Sequence, residues 1–188
     1  MNNRTRRVVN MAVLVSLATA LMVTIQIPMF TDFLKYDPSD VPMLIGGFWF
    51  GPVPGLIMVG LKAFLYLLIR GVSGPIGAFQ NFMASGSFVF FAAMYYQRDR
   101  SRRGAVIALA IGSVAMTLIM IPANMIILPI WGIPDEIVLP TILRFITPFN
   151  LTKGLISSLF TYFAYKRLKT ILESLWGDSF TTDKRRSS

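Results

Sequence analysis

The sequence predicts an all-α membrane protein: six transmembrane helices, both termini in the cytoplasm and a ligand pocket near the outer face. Three observations carry that expectation. Hydrophobic residues make up 54% of the 188 and charged residues 14%, against about 25% charged in an ordinary soluble domain, so there is too little charge to coat a water-facing globule. Five long apolar runs succeed one another along the chain. The basic residues, in turn, gather at one set of ends of those runs. The net charge of +9 does not point to nucleic acid, because a basic nucleic-acid binder keeps a polar, soluble body beneath its basic face. Histidine and cysteine are both absent, which removes the commonest general base and metal ligand together with thiol chemistry and disulfides.

The first helix is expected over residues 8–29, preceded by Arg4, Arg6 and Arg7. Its apolar run, Val8 to Ile27, is long enough at 1.5 Å per residue to reach about 30 Å, the thickness of the hydrocarbon core. A signal peptide has a shorter apolar segment and a small-residue cleavage site; here Thr31-Asp32-Phe33-Leu34-Lys35-Tyr36 comes next instead. The second apolar stretch is interrupted by Gly51-Pro52-Val53-Pro54-Gly55. Two glycines and two prolines in five residues punctuate it as two helices, 39–50 and 53–70. Further helices are expected over 78–97, 104–130 and 146–169, making one domain over 1–170, and 177–188 reads as a solvated, disordered cytoplasmic tail.

Parity decides between five and six crossings. With six, Arg4–Arg7, the Arg98–Arg103 loop and the basic residues from Lys166 to Arg186 share one side, which then holds thirteen of the 18 basic residues. With five, the last two groups move to the opposite face, against the positive-inside rule. The second helix is too short to cross on its own, since about 17 residues are needed. Its end must therefore border protein or a wet cavity, and a concavity is expected on the outer side near residues 31–42.

The apolar runs contain no Asp or Glu, which argues against a proton- or sodium-coupled carrier. There is no phosphate loop. The one cluster of carboxylates, Asp32, Asp37 and Asp40, lies in the loop expected to face outward. Catalytic residues and metal ligands are therefore assigned to none. Asp37-Pro38 suits a turn, and Ser39 or Asp40 suits a helix cap. The same loop offers Leu34, Lys35 and Tyr36, either as mere lead-in to that cap or as a lid over a ligand. Asn124 comes after Pro122, where it either serves the proline kink or faces a ligand. Asn150 and Lys153 lie three apart on one helix face, and Lys153 must face the bundle, a cavity or the interface. As an ammonium with no carboxylate inside the membrane, it is expected to repel a cationic ligand. Lys62 has no assigned role, Arg70 is expected to snorkel, and Trp131 is read as part of an interfacial aromatic belt. Ala12, Ser16 and Ala20 form a four-residue stripe of small side chains, fit for close helix packing within this bundle or against a partner.

Three strings carry a resemblance: Phe33-Leu34-Lys35-Tyr36-Asp37-Pro38-Ser39-Asp40-Val41-Pro42, Gly74-Pro75-Ile76-Gly77 with Gln80-Asn81-Phe82, and Pro148-Phe149-Asn150-Leu151-Thr152-Lys153-Gly154. Over about residues 8–170 the chain resembles the S components of energy-coupling-factor (ECF) vitamin transporters, and within them the riboflavin-specific members. The resemblance implies a six-helix subunit of the cytoplasmic membrane, without a cofactor, that binds riboflavin from outside. It implies a transmembrane T component and two cytoplasmic ATPases as partners. It also implies riboflavin contacts from Asn124, Asn150 and Lys153 beneath a loop carrying Leu34, Lys35 and Tyr36, and T-component docking through Ala12, Ser16 and Ala20. The alternatives are an S component for another vitamin, or an assembly subunit that binds no small molecule.

Overall fold

The structure, a computed structural model, describes residues 2–70 and 74–176, with side chains to Tyr165. The expected tail over 177–188 lies outside the described residues. The first helix, α1, runs over Asn3–Thr24, starting and ending five residues before the expected 8–29. It stops because Ile25 turns extended, with φ −115° and ψ 106°, and Pro28 then biases Ile27 away from the helical region. The chain next forms a hairpin, β1 (Ile27–Met29) with β2 (Thr31–Tyr36), antiparallel and pairing Ile27 with Tyr36 and Pro28 with Lys35. The all-α expectation is corrected here: hydropathy does not distinguish the last turn of an apolar helix from a β-branched strand ahead of a proline.

The Gly51 break falls as expected. Helix α2 covers Asp40–Phe50 and α3 covers Pro52–Ile69, separated by Gly51 alone, at φ +102°. That left-handed conformation favours glycine, and Pro52 then occupies the first turn of α3, where it forfeits no hydrogen bond. Arg7 Nη2 donates to the Phe50 carbonyl at 2.9 Å, tying the start of α1 to this turn. Helix α4 covers Gly74–Tyr96 and α5 covers Arg102–Ile130. The Ser101 hydroxyl caps α5 by accepting from Gly104 N–H, while Asp99 Oδ1 accepts from Ser101 N–H. The Ser101 hydroxyl and amide beside it favour the Asp99 carboxylate and hold this exposed group below the ordinary range.

The helix expected over 146–169 begins earlier. Helix α6 (Asp135–Thr141), a π-helical turn (Ile142–Ile146) and α7 (Thr147–Trp176) run on without interruption. The wider turn closes with Thr147 N–H on the Ile142 carbonyl, directly before Pro148, which has no N–H to continue the ordinary ladder.

Helix α2 sits in the middle of the bundle, packed by α1, α3, α4 and α7, with residues 42–48 all buried. Around it Met58, Val59, Phe88, Val89, Ala108 and Met116 complete the core. Side chains on the outer faces are large and apolar, as at Ile57, Leu61, Phe64 and Leu68 on α3 and Leu151, Leu155 and Leu159 on α7. Aqueous proteins do not expose such patches; here they form the lipid-facing surface. Four of the described helices, α1, α3, α4 and α5, are long and apolar enough to cross a membrane.

Small residues set the closest approach between α4 and α5. A Cβ on Gly112 would stand 2.6 Å from the Phe88 carbonyl oxygen and 2.8 Å from the Ala92 Cβ. Gly112→Val therefore overpacks this crossing and is expected to cost about 1–3 kcal/mol. A lowered thermal midpoint of the protein in detergent micelles checks this, with Ala110→Val on the exposed face of the same helix leaving the midpoint unchanged.

Candidate functional site

A cavity of about 140 Å³ opens between the hairpin and the ends of α4, α5 and α7. The hairpin contributes Phe33, Leu34 and Lys35; α4 contributes Gly77, Gln80, Asn81 and Ala84; α5 contributes Met120, Asn124 and Trp131 at its end. Ile146, Phe149, Asn150 and Lys153 close the remaining side. The sequence-predicted Leu34, Lys35, Asn124, Asn150 and Lys153 thus line one space. Tyr36 does not: it is 5% exposed and turned into the protein, beside Asp37, Asp40 and Lys153. Its position reflects the alternation of a strand, which sends Lys35 and Tyr36 to opposite faces.

The amides around the cavity are only partly satisfied. Asn124 Nδ2 donates to the Met120 carbonyl at 2.7 Å, and its Oδ1 accepts from Gln80 Nε2 at 2.9 Å. Asn124 therefore serves its own helix and also fixes Gln80, while one N–H and one lone pair remain available. Asn81 Oδ1 is buried with no hydrogen bond among the described residues. Asn150 is buried, and its side chain makes no hydrogen bond among the described residues. Buried amides without partners carry a cost that a bound polar group removes. Sequence reasoning assigned no role to Gln80 or Asn81; two adjacent amides in an apolar helix were the available signal. It also assigned Trp131 to an aromatic belt, and the structure places it at the cavity.

Of the three loop carboxylates, Asp32 is exposed on β2, whereas Asp37 and Asp40 are buried. Asp40 and Lys62 are both fully buried, with Lys62 Nζ 3.2 Å from Asp40 Oδ1. Lys62 also donates to Ser39 Oγ at 3.0 Å and Ser85 Oγ at 3.2 Å, and Ser85 Oγ donates to Asp40 Oδ1 at 2.5 Å. Lys153 Nζ lies 3.2 Å from Asp40 Oδ2 and 3.4 Å from Asp37 Oδ2. Two ammoniums and two carboxylates thus form one neutral cluster joining the start of α2 to α3, α4 and α7. The expectation that Lys153 is an uncompensated cation is corrected, because Asp37 and Asp40 reach it through the fold. Neither Ser39 nor Asp40 makes a side-chain cap on α2; Asp37 does the local work, its Oδ1 accepting from Ser39 N–H at 3.1 Å. The partner of Lys62 was legible: Asp40 and Lys62 each stand 11 residues from Gly51, so a tight antiparallel turn there sets them opposite one another.

Ala12, Ser16 and Ala20 are all exposed along α1, while Val15, Ala18, Thr19 and Met22 pack inward. The stripe is thus a free surface of the chain and not part of its internal packing. Arg70 donates to the Val23 carbonyl at the end of α1.

Residues 6–165 match the family described as the substrate-specific component of ECF transporters. The chain belongs to that family. It is 31% identical over 179 residues to the riboflavin transporter RibU of Staphylococcus aureus, covering 90% of this chain and 94% of that one. It is 29% identical over 181 residues to the riboflavin transporter FmnP of Bacillus subtilis, covering 90% and 95%. The solved S component of a bacterial ECF transporter superposes with a TM-score of 0.79 at 32% identity, over 91% of this chain and 99% of that one. The chain is accordingly a multi-pass membrane protein and a transporter component, not an enzyme.

For this S component the neutral cluster has a direct energetic consequence. Lys62→Met alone leaves an excess negative charge in the bundle and is expected to cost about 3–5 kcal/mol, the usual penalty for breaking a buried pair. Lys62→Met combined with Asp40→Asn restores neutrality and is expected to recover most of that loss. Thermal unfolding of the two purified variants in micelles makes the comparison.

Proposed function

We propose that this S component binds riboflavin in the cavity beneath the hairpin and delivers it to the rest of an ECF transporter. The supporting observation is the cavity itself, in which Asn124, Asn150 and Lys153 meet Leu34 and Lys35, in a chain related over nine-tenths of its length to riboflavin transporters. Riboflavin is uncharged, with a flat, largely apolar ring edged by amide-like groups and a polyhydroxyl tail. Leu34, Met120, Ile146 and Phe149 offer apolar walls, and the amides with the Lys153 ammonium offer donors and acceptors at separate points, the usual make-up of a small-molecule site. A neutral charge cluster behind the cavity suits a neutral ligand.

On this reading α1, α2, α3, α4, α5 and α7 are the six crossings. Both termini and the Arg98–Arg103 loop lie in the cytoplasm, and the hairpin and cavity face outward. The short α2 is tolerated because protein, not lipid, surrounds it. The void is smaller than the ~300–1,000 Å³ of typical ligand sites, so the hairpin acts as a lid that withdraws during loading. Energy comes from outside the chain, from two cytoplasmic ATPases acting through a transmembrane T component that docks on Ala12, Ser16 and Ala20.

Titration of the purified protein with riboflavin, monitored by quenching of tryptophan and flavin fluorescence, tests the assignment. Saturable quenching is expected, and Asn150→Ala is expected to weaken binding about tenfold while the ligand-free thermal midpoint stays put. A flat riboflavin titration refutes the reading; a saturable response to thiamine in its place assigns the chain to another vitamin, and silence to both favours an assembly subunit. Lys153→Ala is a poorer probe, because it also unbalances the charge cluster. Ser16→Trp is expected to abolish co-purification with the T component while leaving riboflavin quenching intact.

A further inference from the structure

Asp37 stands at the joint between the hairpin and α2 and is bonded in two directions. Its Oδ1 accepts from the Ser39 amide at 3.1 Å and from the Ser39 hydroxyl, closing the local turn. Its Oδ2 accepts from Lys153 Nζ at 3.4 Å, a contact across 116 residues to α7. Lys153 lines the cavity, and so do Phe33, Leu34 and Lys35, which lead directly to Asp37. One carboxylate therefore links the cavity's ammonium to the strand that covers it.

The hairpin has few other polar ties to the bundle. Among the described residues its two strands pair only with each other. Ile27, Phe30 and Phe33 are each about half exposed, and the Thr31 hydroxyl is buried without a hydrogen bond. The polar anchors are at its ends: Gln26 Nε2 donates to the Tyr66 hydroxyl at 2.8 Å before β1, and Asp37 meets Lys153 after β2. Leu34 and Tyr36 add apolar packing, and a segment with so few polar ties opens locally at lower cost than the helices around it.

We propose that Asp37 is a positioning residue that latches the hairpin to Lys153, so that covering the cavity and aiming Lys153 into it are one event. Lys153 Nζ donates to Asp37 and pairs with Asp40 at 3.2 Å, and an ammonium with three donors keeps capacity for the cavity it lines. Release of Asp37 frees the hairpin and at the same time loosens the ammonium. The consequence for binding rates rests on the riboflavin reading; the latch itself is a property of the empty protein.

Asp37→Asn separates the two roles of the side chain. It keeps an Oδ1 for the Ser39 turn and replaces Oδ2 by an amide nitrogen, which donates and cannot accept from Lys153. Amide hydrogen exchange is measured by mass spectrometry on the full chain in micelles without ligand, and riboflavin association and dissociation by stopped-flow quenching. In Asp37→Asn, residues 27–36 are expected to exchange roughly tenfold faster, the worth of one hydrogen bond to a charged group, while α4 and α5 keep their protection. Association and dissociation are both expected to accelerate, since an unlatched lid opens more often in either direction. The double variant Asp37→Asn with Lys153→Gln removes one charge of each sign and leaves the Asp40–Lys62 pair. It is expected to show the same fast hairpin exchange, and it carries the test if the single variant does not fold. Unchanged exchange over 27–36 in the folded variants overturns the latch, whether or not riboflavin binds. Faster hairpin exchange in a protein that shows no riboflavin quenching upholds the latch and refutes the riboflavin assignment instead.

Discussion

Two lysine ammoniums inside a membrane bundle must be neutralised before anything else in this fold can stand. Each buried, unpaired ion costs several kcal/mol even after the surroundings relax, and among the described residues the bundle buries Lys62 on α3 and Lys153 on α7. Both counter-charges, Asp37 and Asp40, come from one short piece of chain, the turn that starts α2. That turn is therefore not free to move along the bundle. Lys62 draws Asp40 against α3 and Ser85 of α4, while Lys153 draws Asp37 and Asp40 against α7. The cavity lies beside the cluster because the hairpin ends where the fixed turn begins.

The position of α2 has a second consequence. It is only 11 residues long, yet it is enclosed by four other helices, so its backbone ends meet protein where a lipid-facing helix would meet hydrocarbon. The hairpin ends at Tyr36, just ahead of Asp40, the first residue of α2, and Phe33, Leu34 and Lys35 on that strand cover the cavity. The fixed turn at the start of α2 thus sets where the covering strand ends.

What was legible in the sequence divides by range. Gly51 with Pro52 marked the α2–α3 turn because glycine and proline act on their own φ angles. The apolar runs marked the long helices because burial in lipid is a sum over many residues. The hairpin was hidden, since Ile25 and Ile27 add to a hydropathy sum whether helical or extended, and only Pro28 hinted at the difference. Asn124, Asn150 and Lys153 line one cavity, an arrangement that the family resemblance implied and that residue types alone left open, since Asn124 could serve only its proline kink and Lys153 could face the interface. The charge cluster was missed because the carboxylates were read as loop residues. A lysine placed at the same distance from a tight turn as an aspartate on the other side carried the information. Tyr36 was grouped with Lys35 by motif, and strand alternation separates them.

The neutral cluster also bears on how this site selects a ligand. Lys153 offers the cavity a donor but little net charge, because Asp37 and Asp40 lie against it. Attraction or repulsion of charged compounds therefore contributes little on the inner wall, and Lys35 at the mouth is the nearest cation left without a carboxylate partner among the described residues. On the riboflavin reading, discrimination falls instead to the amides of Asn81, Asn124 and Asn150, which line the cavity. A site built of buried hydrogen-bonding groups rejects a look-alike that lacks the matching group far more strongly than an apolar pocket rejects an added methyl, because its own polar atoms are then left unpaired. On the riboflavin reading, selectivity should be steep for changes at the amide-like edge of the ring and shallow for changes on its apolar side.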